Sequence, residues 1–175
     1  MNQEIKKLVE ALVESELSII PPQNYTIYFD MDGVLADFES GVDVDAKAAA
    51  ARDTYRKILD KFPEFKILPD DDLKKRLAGP QSDPGLKALK KAWNEYRQLK
   101  YIVAGKPGFF LNLAPLPGAK EMLIAAAEMT GQRPSILTAP MDSIGERCEQ
   151  EKGAWMQKNF PGLFAEFHCT QEKAN

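Results

Sequence analysis

The sequence predicts an α/β protein with a parallel sheet and a helical segment inserted after the first strand. Short apolar runs alternate with helix-like segments along the C-terminal part of the chain, which is typical of strand–helix–strand units. Acidic residues follow directly after the first apolar run, where ligands bind in open α/β sheets. Residues 40–106 carry helical patterns and Pro/Gly breaker clusters without any strand alternation.

Composition restricts the class of protein further. The chain has 175 residues, of which 44% are apolar and 28% charged, and its net charge is −3. This length favours one domain with at most one embedded subdomain. No apolar stretch approaches the ~20 residues of a membrane span, and no dense Lys/Arg run suggests a nucleic-acid partner. We therefore expect neither a membrane nor a nucleic-acid polymer as partner.

Cysteine and histidine counts bear on compartment and chemistry. The two cysteines are too few for a secreted disulfide scaffold, and the N-terminus does not read as a signal peptide, so a cytoplasmic location is expected. The single histidine, His168, excludes a multi-histidine zinc site, and a Ser-His-Asp triad would depend on it alone. We interpret His168, like Trp93 and Trp155, as structural.

The first elements can be assigned from periodicity and composition. Residues 1–22 contain an amphipathic helix ended by Pro21-Pro22, and we expect it to pack on the rest of the chain, with binding to a partner as the alternative. Residues 25–29 are rich in β-branched and aromatic side chains and predict a buried strand of a parallel sheet.

The remaining elements divide into a core and an insertion. Segments 23–39 and 107–175 are predicted to form the core, and 40–106 a helical cap. Asp70-Asp71-Asp72 follows Pro69 and is interpreted as a helix start rather than a metal cluster. Helices are predicted at 46–59, 68–77, 86–97, 119–129 and 144–160, and further strands at 134–138 and 163–169.

The candidate site begins with Asp30-x-Asp32-Gly33 directly after the first strand. Two carboxylates so close repel each other unless a cation lies between them or one holds a proton, and Mg²⁺ suits oxygen ligands combined with a phosphate. Gly33 permits the turn that brings backbone N–H groups near an anion. A calcium loop is not expected, because Gly41 occupies the position of its terminal glutamate. A surface turn is the remaining alternative.

The stretch from Phe29 to Phe38 (FDMDGVLADF) resembles the first motif of the haloacid dehalogenase superfamily of phosphatases. In its longer form it is similar to the 5′-nucleotidases that act on deoxyribonucleoside monophosphates. Residues 109–119, 137–140, 151–155 and 170–173 resemble the segments that follow in that branch, in the same order. The resemblance implies a Rossmann-like core, a cap that closes over the substrate, and a Mg²⁺-dependent phosphomonoesterase that acts on a nucleoside monophosphate.

The resemblance also implies catalytic roles. Asp30 would be the nucleophile that forms an aspartyl-phosphate, and it would ligate Mg²⁺. Asp32 would protonate the leaving alcohol and then activate water, while its backbone carbonyl contacts the metal. Thr138 would hydrogen-bond the phosphoryl oxygens, and Lys173 would neutralise charge on Asp30 and the phosphate.

Substrate contacts are expected from a wider set of residues. Lys152 is expected to contact either the phosphate or a loop. Aromatic side chains would wall a base pocket, since aromatic faces stack nucleobases. The full set of expected substrate contacts is Gly33, Phe38, Phe109, Phe110, Ala139 and Lys152.

One departure from the family pattern leaves alternatives open. The family's fourth motif, an acidic pair after the next strand, does not follow Lys173, which would leave the first strand with an open edge. We expect a truncated piece of a longer phosphatase. The alternative is that the N-terminal helix or a second subunit in a homodimer covers that edge. The alternative functions are hydrolysis of another small phosphate ester, such as a sugar phosphate, and catalytically silent binding of a phosphate ligand or a partner.

Overall fold

The computed structural model describes residues 25–66, 68, 70–78 and 83–171. The predicted helix of residues 1–22 and the predicted catalytic Lys173 lie outside these residues. The described chain divides into two compact units, one formed by 25–38 with 110–171 and the other by 39–109. Within the described ranges, no helix is long and apolar enough to cross a membrane.

The strands and helices follow one another in a regular order. The strands are β1 (Tyr28–Phe29), β2 (Ser135–Thr138) and β3 (Phe167–Cys169). The α-helices of the described ranges are α1 (Phe38–Asp43), α2 (Ala46–Leu59), α3 (Pro63–Lys66), α4 (Asp70–Ala78), α5 (Pro84–Ala104), α6 (Ala119–Thr130) and α7 (Glu146–Asn159), and a 3-10 helix covers Phe110–Asn112.

The first unit is built on a parallel sheet with the strand order β1-β2-β3. Tyr28 pairs with Ser135, and Thr138 pairs with Cys169. Helix α7 connects β2 to β3, as a parallel crossover requires. The predicted α/β class with a parallel sheet is therefore confirmed.

The predicted burial of the first strand is wrong. Tyr28 is 53% exposed, and the strand spans two residues where the sequence predicts five. The physical reason is position: among the described residues β1 pairs with β2 alone and lies at the edge of the sheet. Both faces of a strand are buried only when neighbouring elements cover them.

The core of the first unit lies where α7 meets the sheet. Trp155, Met156 and Ile136 are completely buried. The Trp155 indole Nε1 donates to the Leu113 carbonyl at 2.7 Å, so its one polar atom is paired. Trp155 is a packing residue, as predicted, and it attaches α7 to the segment that follows the 3-10 helix.

The second unit is helical throughout its described part, and α2 packs against α5. Leu73, Leu77 and Leu89 form its apolar cluster. Helix α5 begins two residues before the predicted 86–97, because the Asp83 side chain accepts from Leu86 N at 2.9 Å and Pro84 fits the first turn, and it continues beyond the predicted end to Ala104. Asp70 begins α4, in agreement with the predicted helix start.

Candidate active site

The acidic motif lies in a tight turn that leaves β1. The Met31 carbonyl accepts from Leu35 N at 3.0 Å and from Ala36 N at 2.9 Å, and Gly33 N donates to the Ala36 carbonyl at 3.0 Å. Gly33 has a φ of 75°, in the left-handed region that glycine adopts without strain. The turn holds Asp30 and Asp32 at the carboxyl end of the strand.

Backbone bonds fix this turn to the segment that follows the 3-10 helix. Asp37 N donates to the Ala114 carbonyl, and Leu116 N donates to the Leu35 carbonyl, both at 2.8 Å. Met31, Leu35 and Ala36 are completely buried, which anchors the turn from beneath. Hydrogen bonds and buried side chains therefore fix the backbone that carries Asp30 and Asp32.

Lys152 of α7 brings the separate parts of the site together. Its ammonium Nζ lies 2.7 Å from Asp32 Oδ2, 3.0 Å from Thr138 Oγ1 and 2.8 Å from the Ala139 carbonyl. One ammonium thus joins the turn after β1 to the end of β2. Three sequence-predicted site residues, together with Lys152 itself, meet here.

Burial separates the site into two levels. Lys152 is 1% exposed and Thr138 is 0% exposed. The Asp32 side chain is 31% exposed, and Asp30 is half-buried, with its Oδ1 accepting from Met31 N at 2.8 Å. The two acidic side chains are partly exposed, although Asp32 Oδ1 is buried, and the lysine and threonine lie inside the protein.

The predicted aromatic residues occupy different places. Phe110 is 1% exposed, and its ring centroid lies 4.9 Å from Lys152 Nζ and 6.1 Å from the Phe38 ring centroid. Phe110 therefore packs on the buried ammonium. Phe38 is half-buried at the start of α1. Phe109 belongs to the helical unit, so the predicted base pocket stays a prediction.

Sequence reasoning missed Glu151, which is 7% exposed. Its Oε2 accepts from Phe110 N at 3.2 Å, so it fixes the backbone of the residue whose ring covers Lys152. A signal for it exists in the sequence: Cys148, Glu151, Lys152, Trp155 and Met156 form one helical stripe on α7, and all five are buried. Two charged residues on an otherwise apolar stripe indicate a buried polar site.

The two thiols near the site are poorly ionised. Burial raises the pKa of Cys148, whose Sγ accepts from Met141 N at 3.3 Å. Burial also raises the pKa of Cys169 to about 11. Both cysteines are free, and neither has the low pKa of a nucleophilic thiol.

The oxygen donors of the site match the chemistry of Mg²⁺, which is commonly held by one or two carboxylates together with water and substrate phosphate. The Asp30 carboxylate and the Asp32 backbone carbonyl are the predicted ligands of such an ion, whereas the Asp32 side chain pairs with Lys152. Among the described residues, no three or more Asp, Glu, His or Cys side chains form a group that could hold a metal ion.

The fold and these acidic residues define an α/β protein whose core is Rossmann-like and consistent with the haloacid dehalogenase type. The chain is similar to the human cytosolic 5′(3′)-deoxyribonucleotidase, with 29% identity over 147 residues, which is 80% of this chain and 60% of that protein. It is 29% identical to the mouse mitochondrial 5′(3′)-deoxyribonucleotidase over 169 residues, or 93% of this chain and 66% of that protein. The human mitochondrial protein of that name is 30% identical over 153 residues, or 84% of this chain and 56% of that protein.

These comparisons confirm the predicted resemblance to the deoxyribonucleotidases. The chain spans between 56% and 66% of the length of the three relatives. No protein-family model matches it.

Proposed function

We propose that the protein is a Mg²⁺-dependent phosphomonoesterase that hydrolyses a nucleoside monophosphate through an aspartyl-phosphate. One observation carries the proposal: the partly exposed side chains of Asp30 and Asp32 lie at the carboxyl end of a parallel strand, and a buried lysine pairs with Asp32. Phosphoryl transfer depends mainly on positioning and on charge stabilisation; the two acids would supply the positioning and a bound Mg²⁺ the charge. The likeness to proteins named deoxyribonucleotidases supports the choice of a nucleotide as substrate.

The proposed reaction has two steps, each with a role for one carboxylate. An Asp30 oxygen bonds to phosphorus while the bond between phosphorus and the leaving alcohol oxygen breaks, and Asp32 donates the proton that this alcohol takes up. A water then attacks phosphorus, Asp32 accepts its proton, and the bond to Asp30 breaks to release phosphate. A bound Mg²⁺ would supply positive charge to the phosphoryl oxygens.

Two features of the site bear on these roles. The ion pair with Lys152 favours the carboxylate form of Asp32, which is the form that the second step needs, whereas the first step needs Asp32 protonated. The Thr138 hydroxyl accepts from Lys152, and an ammonium accepts no hydrogen bond, so the Thr138 O–H is directed to another acceptor. A phosphoryl oxygen as that acceptor stays a prediction, as do the roles of Gly33, Ala139 and Lys173.

The helical unit of residues 39–109 is proposed as the cap that excludes water when substrate is bound. The cytoplasmic location, the homodimer, and the absence of membrane and nucleic-acid partners remain predictions. Hydrolysis of a different small phosphate ester, such as a sugar phosphate, is the alternative reading of the same site.

The test measures phosphate release from a panel of deoxyribonucleoside and ribonucleoside monophosphates and sugar phosphates in the presence of Mg²⁺. We expect a preference for nucleotides and loss of turnover in Asp30→Asn, with an unchanged circular dichroism spectrum. Equal rates on all esters would favour a broader phosphatase. An unaffected rate in a folded Asp30→Asn variant would rule out this nucleophile, and a wild-type protein that binds phosphate without turnover would favour the silent alternative.

A further inference from the structure

We propose that Lys152 is a positioning residue that fixes Asp32 to the end of β2 and makes no contact with the substrate phosphate. The inference rests on the proposed function for its kinetic consequence. It decides between the two roles, a phosphate contact or a loop contact, that the sequence leaves open for this residue.

The first argument is a count of hydrogen bonds. A lysine ammonium has three N–H donors. Lys152 Nζ has three acceptors within hydrogen-bond distance, namely Asp32 Oδ2 at 2.7 Å, Thr138 Oγ1 at 3.0 Å and the Ala139 carbonyl at 2.8 Å. A bond to a phosphate oxygen would have to replace one of these three bonds.

The second argument is access. Lys152 is among the largest fully buried side chains, and the Phe110 ring lies 4.9 Å from Nζ. The Phe110 ring is held in place because the buried Glu151 carboxylate accepts from Phe110 N at 3.2 Å. A cation over an aromatic face is stabilised there, so the ring both covers the ammonium and favours its charge.

The three acceptors also show what the lysine positions. Asp32 belongs to the turn after β1, whereas Thr138 and Ala139 end β2. The ammonium therefore sets the distance between a carboxylate that exchanges protons and the neighbouring strand end. Proton transfer needs hydrogen-bond contact between the reacting groups, so a small displacement of Asp32 slows the reaction without weakening phosphate binding.

The main test is Lys152→Met, which keeps the length of the side chain and removes its charge and its three donors. The matched control is Lys158→Met, the same change at an exposed position of the same helix. We expect kcat for the best nucleotide to fall about 10- to 100-fold, as for other residues that orient a reacting group. The KM, and the Kd for inorganic phosphate measured by calorimetry, should stay within about threefold of wild type, because no substrate contact is lost.

A rise of more than about tenfold in the Kd for inorganic phosphate, with kcat preserved, would overturn the proposal, since that pattern marks a direct phosphate contact. An unchanged kcat in a folded variant would overturn it too. A wild-type protein that releases no phosphate from any ester would refute the proposed function. The Kd for inorganic phosphate of Lys152→Met, compared with that of wild type, would still test whether Lys152 contacts phosphate.

A second measurement does not depend on the variant's folding. A crystal structure of the wild-type protein, alone and soaked with inorganic phosphate, should show Nζ bonded to Asp32, Thr138 and Ala139 in both states. A phosphate oxygen within about 3.2 Å of Nζ, or fewer than three protein acceptors in the unsoaked crystal, would contradict the inference.

Discussion

The Lys152 ammonium and the Asp32 carboxylate form an ion pair of 2.7 Å between residues 120 positions apart in the chain. The lysine is buried, whereas the aspartate is partly accessible. The pair therefore joins a partly exposed aspartate, one of whose oxygens is buried, to a cation inside the protein. A buried cation is costly unless it is paired, so the folded state depends on this contact.

Removal of the Asp32 carboxylate should destabilise the protein. Asp32→Ala leaves the buried Lys152 ammonium without an anion, and we expect the free energy of unfolding to fall by about 2 kcal/mol. Asp32→Asn keeps an acceptor oxygen and should cost less than about half of that. Urea unfolding monitored by tryptophan fluorescence measures both losses. Equal losses would contradict this expectation and show that the charge of Asp32, and not its acceptor oxygen, carries the stabilisation.

Gly33 should resist substitution for a backbone reason alone. Its φ is 75°, and a Cβ placed there would meet nothing within 4 Å. Gly33→Ala is therefore expected to cost roughly 1 kcal/mol of stability. Gly153→Ala is the control, since its Cβ would lie 3.6 Å from Phe167 in ordinary contact, and alanine in a helix should add about 0.5 kcal/mol. Thermal unfolding of the two variants should shift in opposite directions.

Removal of divalent ions should stop turnover. Incubation with EDTA followed by gel filtration is expected to reduce phosphate release by more than about a hundredfold, because charge on the phosphoryl group is then poorly stabilised. Added Mg²⁺ should restore the rate, and added Ca²⁺ should restore it poorly, because Ca²⁺ prefers more ligands and longer bonds. Full activity in the metal-free protein would show that turnover does not require Mg²⁺.

The Cys169 thiol should react slowly at neutral pH. Its pKa is raised to about 11, mainly by burial, so at pH 8 only about one thiol in a thousand is ionised. Alkylation by iodoacetamide should accelerate about tenfold for each pH unit until the pH nears that pKa, provided that the protein stays folded. The Cys169→Ser variant lacks this thiol, so the alkylated species that disappears from its mass spectrum is the one modified at Cys169. A rate that levels off near pH 9 would show that the thiol has an ordinary pKa.

The secondary structure of the first unit was largely predictable, because its local signals agree with the tertiary structure. The predicted strand at 134–138 is β2 within one residue, and the predicted helix at 144–160 is α7 within two. The burial of Tyr28 was not predictable from its own segment. A strand's burial depends on which strands lie beside it, and that information is not local.

The residues themselves single out the acidic part of the candidate site, whereas Thr138 and Lys152 were predicted only from the family resemblance. Asp30 and Asp32 stand out because acids directly after an apolar strand are costly without a function. Lys152 looks like any helical lysine until the helix is placed on the sheet, where its position on the buried stripe decides its surroundings. The partners of its ammonium come from two distant segments, and no local pattern specifies them.

The pairing of β1 with β2 has a consequence for synthesis of the protein. Phe29 pairs with Ile136, so β1 leaves the ribosome about 100 residues before its partner strand does. At the usual 5–20 residues per second this delay is roughly 5 to 20 s. During that time the nascent chain carries an unpaired aromatic strand, while most of the interval is taken up by synthesis of the helical unit between the two strands. Chaperones that bind emerging chains therefore have a defined interval in which to protect this strand from aggregation.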